Sequence, residues 1–251
     1  MFLFRGSHCM NLYIVTGASR GLGLGLARIL AAEPESRLVA ISRAGLPRDV
    51  RAWRDIRADL GVNAGQDLAA KAIRAALAAE PWRRAVLINN AGMLEPLGVA
   101  GQVDAAVVQH SVGVNLTAAI VLMNAFLVGA RDVSACSVVN ISSGSGRRPS
   151  AGSGVYCAAK AGLDMVSRVA ALEVEAAGRA VTICSLAPGI IDTDMQVVAR
   201  GATAAELPDV ARFREFKSEG LLKSAAEVAR KIIDLERAGK LPAGIADLRE
   251  L

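Results

Sequence analysis

The chain has 251 residues, of which 53% are hydrophobic, 4% aromatic and 21% charged, and 24 Gly with 8 Pro exclude a collagen-like or low-complexity chain. The formal charge of +5 arises from 29 basic against 24 acidic side chains with no long basic run. With so few aromatics to stack on bases, no nucleic acid is expected as a partner; a modest basic balance suits anionic small molecules.

Cys9, Cys136, Cys157 and Cys184 form no CxxC pair. This excludes a zinc ribbon or a disulfide scaffold, gives no metal site and suits a reducing cytoplasm. Residues 1–9 (MFLFRGSHC) are too short and not apolar enough for a signal peptide, and Met10 directly precedes the first strand-like run. They are set aside as an N-terminal extension, and residues 10–251 are read as one domain.

Asn11–Thr16 (NLYIVT) reads as a buried strand, followed by GASRGLG and an apolar-periodic helix over Leu22–Ala32. Arg37–Ser42 is a second strand, and a short third one ends at Arg57-Ala58 before Asp59-Leu60. Only sixteen positions separate Arg43 from Asp59. A parallel crossover needs about a dozen residues, so its helix is expected to shrink to a turn or two, or to be missing. Asp67–Ala79 is helical, Ala85–Asn89 is a fourth strand, and one long helix spans about Asp104–Ala130. Within it, Asn115, Thr117 and Asn124 argue against a membrane span and for a buried amphipathic helix, so no membrane partner is expected. Ser137–Ile141 is a fifth strand, Tyr156–Ala177 a helix, Ala180–Leu186 a sixth strand stopping at Pro188-Gly189, and Gly244–Ala246 a short last strand. Strands apolar on both faces and alternating with helices predict an α/β chain: a doubly wound parallel sheet of about seven strands with helices on both faces.

The loop Thr16-Gly17-Ala18-Ser19-Arg20-Gly21-Leu22-Gly23 lies between strand and helix. Gly17 permits the tight turn, Gly21 lets backbone approach a pyrophosphate, and Gly23 allows close helix–strand packing. The N–H groups from Ser19 to Gly23 then face the phosphates of a dinucleotide. Steric need alone could also place these glycines. The same letters match G-x-S-x-G, a nucleophile elbow with Ser19 as nucleophile. That hydrolase reading requires a late histidine, whereas His8 lies in the extension and His110 precedes the second half of the sheet. Ser42-Arg43 ends the second strand. A cation there, with Arg20 in the loop, can pair with a 2′-phosphate and favours NADP(H) over NAD. Asp59 and Leu60, at the end of the third strand, are placed to meet the adenine.

Tyr156 and Lys160 are four apart at a helix start, so they share a face with Cβ atoms roughly 6 Å apart. Unit charges about 5 Å apart at an effective dielectric of about 20 interact by about 3 kcal/mol, roughly two pKa units. The phenol is therefore expected to fall toward neutrality and to work as acid or base. Ser143, thirteen residues earlier and just past the fifth strand, can reach the same substrate oxygen. In NNAG (89–92), Asn89 and Asn90 can brace the strand ends, while Ala91 and Gly92 leave room for a ribose.

These segments together resemble the short-chain dehydrogenase/reductase family: TGASRGLG (16–23), NNAG, Asn115, ISS (141–143), YCAAK (156–160) and PGIIDT (188–193), in the family's order over residues 10–251. The resemblance implies a Rossmann fold and NAD(P) hydride chemistry at a carbonyl or alcohol. It assigns Tyr156 as acid/base, Lys160 as its electrostatic partner and a ligand of the nicotinamide ribose, Ser143 as the group polarising the carbonyl, and Asn115 as holder of a relay water. Asn90, Ala91 and Gly92 would contact the cofactor, as would Pro188, Gly189, Ile191 and Thr193. Residues 194–222 would form a substrate lid, with Met195, Phe213, Phe216 and Leu221 as covers. A homodimer or homotetramer paired through the long helices is expected. RRAVLINNAG, VVNISS and DTDMQ resemble the sepiapterin reductase and benzil-reductase-like members in particular. Asp247 falls where a pterin anchor would stand, so a pterin side chain joins ketones and diketones as candidate substrates. The rival class, a redox-inactive NADP-binding regulator, is opposed by the intact Ser143–Tyr156–Lys160 set.

Overall fold

The computed structural model describes residues 10–251 and has seven strands: β1 (Asn11–Thr16), β2 (Ser36–Ser42), β3 (Arg54–Arg57), β4 (Arg84–Asn89), β5 (Cys136–Ile141), β6 (Val181–Ala187) and β7 (Gly244–Asp247). The N-terminal extension, 1–9, lies outside the described residues. All seven strands pair in parallel in the order β3-β2-β1-β4-β5-β6-β7. The order reverses between β1 and β4, which opens a crevice at the strand C-termini.

The helices are α1 (Gly21–Ala31), α2 (Asn63–Leu77), α3 (Ala105–Val112), α4 (Ala118–Gly129), α5 (Gly154–Ala176), α6 (Asp194–Gly201), α7 (Val210–Ser218) and α8 (Ala225–Arg237). On one face of the sheet Leu26 and Leu30 of α1 and Ile232 of α8 pack on Tyr13, Val15 and Val86. On the other, Ile73 of α2, Leu122 and Phe126 of α4 and Val174 of α5 pack on Leu12, Ile14 and Leu87. Burial on both faces is why the central strands carry no alternation. β3 (RDIR), at the edge, carries charges at three of its four positions, which suits an edge strand.

The structure meets one sequence expectation and departs from another. Between β2 and β3 the crossover helix is missing altogether, and residues 43–53 run as turns. There Ser42 Oγ accepts from the Gly45 N–H (3.1 Å), and the Asp55 carboxylate accepts from the Leu46 N–H (3.0 Å). The expected single helix over 104–130 is broken by a π-helical turn at Gly113–Thr117. A Cβ on Gly113 would lie 2.6 Å from the Gly61 carbonyl oxygen, so helix and loop meet backbone to backbone. The run Ala105–Gly129 is long and apolar enough to cross a membrane. Its Leu122, Met123 and Phe126, however, are buried in the core, which is the environment that selected them.

A polar chain threads this core. Asn89 Nδ2 donates to Asn140 Oδ1 (2.9 Å), Asn140 Nδ2 to Ser167 Oγ (2.8 Å), and Ser167 Oγ to the Leu163 carbonyl (2.6 Å). It ties β4 to β5 and β5 to α5, bracing the sheet as NNAG suggested. Asn140→Leu leaves the buried Asn89 amide only its longer bond to the Ala119 carbonyl (3.3 Å) and removes the donor to Ser167 Oγ. The expected cost is about 2–3 kcal/mol. That lowers Tm by roughly 5–10 °C in thermal denaturation of a chain this size.

Candidate active site

Thr16, the last residue of β1, organises the crevice. Its hydroxyl accepts from the N–H groups of Asn90 and Ala91 (both 2.9 Å), and its carbonyl accepts from Asn90 Nδ2 (2.9 Å). Gly17, at φ +67°, then turns the chain so tightly that a Cβ would lie 2.9 Å from Ala91 Cα. A Cβ on Gly23 would lie 2.2 Å from the Gly17 carbonyl oxygen. Arg20, at the N-cap of α1, caps no backbone group with its side chain. The first-turn N–H groups of Gly21, Leu22 and Gly23 are thus left for an anion. A glycine turn that leaves these N–H groups free at a helix start fits a pyrophosphate. Ser19 has no histidine hydrogen bond among the described residues. His110 instead packs on Gly61, where a Cβ would meet its ring at 2.0 Å, and stands 3.8 Å from Asp59, so the nucleophile-elbow reading fails.

Toward the β2–β3 side, Ser42 is buried and Arg43 is exposed. Arg20 reaches away from them: its guanidinium pairs with Asp194 at the start of α6 (3.1 Å), and both side chains are about two-thirds exposed, 66% and 65%. Asp59 Oδ1 accepts from the Gly61 N–H (2.9 Å), and the Leu60 carbonyl accepts from Gln66 Nε2 (3.0 Å), which fixes the loop after β3. Past β6, Pro188 and Gly189 turn the chain, and Ile191 forms a parallel bridge with Lys223. Thr193 then comes to rest beside Gly21, 3.2 Å from where its Cβ would be.

At the opposite end, α5 presents Tyr156 and Lys160 from its first two turns, both buried. Lys160 Nζ donates to the Ile141 carbonyl (2.8 Å) and lies 5.6 Å from the Tyr156 ring centroid. Ser143 follows β5 directly, and its Oγ accepts from the Ser145 N–H (3.1 Å). The loop behind it is docked on α5 because Gly146 has no Cβ; one would lie 2.9 Å from the Lys160 carbonyl carbon. Asn115 sits in the π turn. It pairs with Met93 in both directions (2.9 and 3.1 Å) and donates to Ser111 Oγ (3.1 Å). Gly92 lies between Asn115 and Lys160, 3.0 and 3.7 Å from its would-be Cβ.

The electrostatics correct one expectation. The phenol does not fall toward neutrality: burial pushes Tyr156 up to about 12, while a hydrogen bond from Ser143 pulls the other way. Burial also pushes Lys160 down to about 8, opposed by the Asp164 carboxylate one turn further along α5. Desolvation outweighs the pairwise attraction that the i, i+4 spacing promises.

Tyr156 is roofed by Leu94, Ala199, Leu207 and Val210, with Met195 and Phe213 packed beside them. Met195 and Phe213 thus join the cover, and Phe216 stacks edge-on against Phe213 (5.9 Å), but Leu221 stays 51% exposed and covers nothing. A cleft of about 450 Å³ between Leu97, Val103, Val198 and Ala202, rimmed by Glu95, Asp104 and Glu206, is lined by none of Ser143, Tyr156 and Lys160. The sequence reading missed Leu94 and Leu97 of the Tyr156 cluster, although apolar residues right after NNAG were the available signal. Asp247 ends β7 beside Ala187. Its carboxylate is held by the Arg249 fork (2.9 and 2.6 Å), which pulls its pKa down to about 2.

Residues 11–203 match the family model described as short chain dehydrogenase. The chain belongs to the short-chain dehydrogenase family. It is 32% identical over 242 residues to a benzil reductase ((S)-benzoin forming) of Bacillus subtilis (strain 168), covering 96% of this chain and 99% of that one. It is 37% identical over 240 residues to a sepiapterin reductase of Meriones unguiculatus, covering 88% and 89%. Among solved structures, the KRED1-Pglu enzyme superposes with a TM-score of 0.79 at 25% identity, covering 94% of this chain and all of that one. This short-chain dehydrogenase is therefore an oxidoreductase with a Rossmann sheet, from a family that binds a nicotinamide cofactor.

Because Ser143 favours the ionised phenol, removing it moves the phenol further up. In ultraviolet absorbance titrations Tyr156 is expected to half-ionise near pH 12 rather than 10 in the unmodified enzyme, and higher still in Ser143→Ala. A midpoint that stays put or moves down in the variant contradicts the assigned hydrogen bond.

Proposed function

We propose that residues 10–251 form one NADP(H)-dependent catalytic domain that reduces the carbonyl of a small ketone or diketone to an alcohol. The observation that carries this reading is the burial of Tyr156 and Lys160 together, with Ser143 at the end of β5, under an apolar roof. The glycine loop from Gly17 to Gly23 would hold the pyrophosphate. Ser42, Arg43, Asp59 and Leu60 would take the adenosine end, with Asn90, Ala91 and Gly92 lining the floor. Pro188, Gly189, Ile191 and Thr193 would meet the nicotinamide half. When bound, the nicotinamide supplies a hydride to the carbonyl carbon.

The chain's own residues handle the oxygen. Tyr156 donates its phenolic proton to the developing alkoxide, and its raised pKa keeps that proton in place until then. Ser143 donates a second hydrogen bond to the same oxygen. Lys160 contributes only as the phenolate forms, when its charge within a dry site counts most. Asn115 has its amide engaged by Met93 and Ser111, so any relay water would be held by main-chain groups of the π turn. The roof of Leu94, Leu207 and Val210 keeps bulk water from the reacting oxygen. An intact proton-donating set tells against a redox-inactive regulator.

The apolar side chains packed around Tyr156 support an aryl ketone or diketone, in keeping with the benzil reductase relative. A pterin is the second reading, supported by the sepiapterin reductase relative and by Asp247 at the same sheet edge, although that carboxylate must first release Arg249. Met165, Val169 and Leu172 form an exposed apolar stripe on α5, which supports a homodimer or homotetramer. Free Cys136, Cys157 and Cys184 support a reducing cytoplasm.

NADPH oxidation with benzil and with sepiapterin as oxidants tests the activity. Tyr156→Phe is expected to keep NADPH affinity and to lose turnover by at least about a hundredfold. Cofactor binding without turnover on any carbonyl overturns the reductase reading. For the cofactor, Arg43→Asp is expected to weaken NADPH far more than NADH in fluorescence titrations, because a charge-assisted contact becomes a repulsion. Equal losses would mean that Arg43 does not read the 2′-phosphate.

A further inference from the structure

The NADP(H) reading draws on two cations, and the structure leaves one of them, Arg20, paired with Asp194 at the far side of the loop. The geometry points to Arg57 as a specificity-determining residue that joins Arg43 in a two-guanidinium subsite for the 2′-phosphate. This inference rests on the NADP(H) reading and deepens it.

Ser42 and Arg57 are the last residues of β2 and β3 and are register partners, so their side chains leave the same face of the sheet. Ala40, two residues before Ser42, packs into the core beneath α1 and α8, whereas Ile56, next to Arg57, packs into the opposite core. Arg57 therefore projects on the α1 face, which also carries the glycine loop. Its guanidinium crosses the turn that follows Arg43: Nε and Nη2 lie 3.0 and 3.4 Å from the position of a Gly45 Cβ. Gly45, at φ +77°, is buried under it and ties back to Ser42 Oγ, which fixes the turn.

Asp55 approaches the same spot, with Oδ2 3.0 Å from that Cβ position, but its carboxylate is bonded to the Leu46 N–H and holds the loop. Among the described residues neither Arg43 nor Arg57 forms an ion pair, and both are exposed. Arg43 and Arg57 stand at the ends of adjacent strands and flank one glycine turn, so an anion bound over that turn would have both charges within reach. The planar fork of arginine suits a phosphate monoester there, and lysine would supply the charge without the fork.

Affinities of NADPH and NADH, and inhibition by 2′-AMP against 5′-AMP, would be measured for the unmodified enzyme, Arg57→Gln and Arg57→Lys at low and high salt. Arg57→Gln is expected to weaken NADPH roughly tenfold, as loss of one charge-assisted contact would, and to leave NADH within about twofold. It should also weaken 2′-AMP but not 5′-AMP, and flatten the salt dependence of NADPH binding. Arg57→Lys is expected to recover part of the loss. If the unmodified enzyme prefers NADPH and Arg57→Gln changes both cofactors equally, or neither, the inference on Arg57 falls and the NADP(H) reading stands. If the unmodified enzyme shows no preference for NADPH, both fall together. Because Arg57 is exposed, an unchanged Tm in Arg57→Gln separates these outcomes from misfolding.

Discussion

A lysine with 3% of its surface exposed is the most demanding object in this structure, and the site is built around making it tolerable. Lys160 keeps one strong acceptor, the Ile141 carbonyl at the end of β5, and one counter-charge, Asp164, a turn further along α5. Asp164 is itself buried, so it needs donors: Ser185 Oγ at 2.6 Å and Arg147 Nε at 3.0 Å. Arg147 in turn donates to the Ala246 carbonyl, joining β7 to the loop that carries Ser143. Removing one member of such a chain leaves a buried charge uncompensated, and that typically costs more than the ion pair contributes in place. The cation therefore dictates where the Ser143 loop, α5 and the last strand must sit relative to one another.

A second set of contacts holds the strand ends in register. The Thr16 hydroxyl gathers two N–H groups from the NNAG segment, and the Asn89–Asn140–Ser167 chain fixes the neighbouring strands and α5. The first satisfies main-chain groups where β1 and β4 end, and the second links side chains inside the ladder. Together they hold the strand ends that would form the floor under a dinucleotide. The exposed Arg20–Asp194 pair is of another kind, since an ion pair this solvated contributes little stability.

Much of this was readable beforehand, for reasons that differ by element. The central strands announce themselves because burial on both faces leaves unbroken apolar runs inside Asn11–Thr16 and Arg84–Asn89 and mostly apolar residues in Val181–Ala187. β3 was the faintest, being four residues at an edge with charges at three of them. The π turn has no local signature; it stands where Gly113 meets the backbone of Gly61 from a distant segment. The spacing of Tyr156 and Lys160 correctly put them on one helix face but gave the wrong sign for the phenol, because spacing reports Coulomb attraction and is blind to desolvation. Arg57 escaped for a related reason: its neighbour Gly45 is brought to it by the β2–β3 register, which no linear pattern records.

The contact between Gly61 and Gly113 couples two parts of the molecule that are usually considered separately. The loop bearing Asp59 and Leu60 and the π turn bearing Asn115 meet with no side chain between them, and Gln66 donates to the Leu60 carbonyl while approaching that of Gly113 (3.4 Å). Closely packed backbones transmit displacement rather than absorbing it. Whoever re-engineers nucleotide preference by grafting a different loop after β3 will thus also move the helix that frames Lys160. The unit to transplant in such an exchange includes residues 59–66 and 110–115 as one mechanical piece.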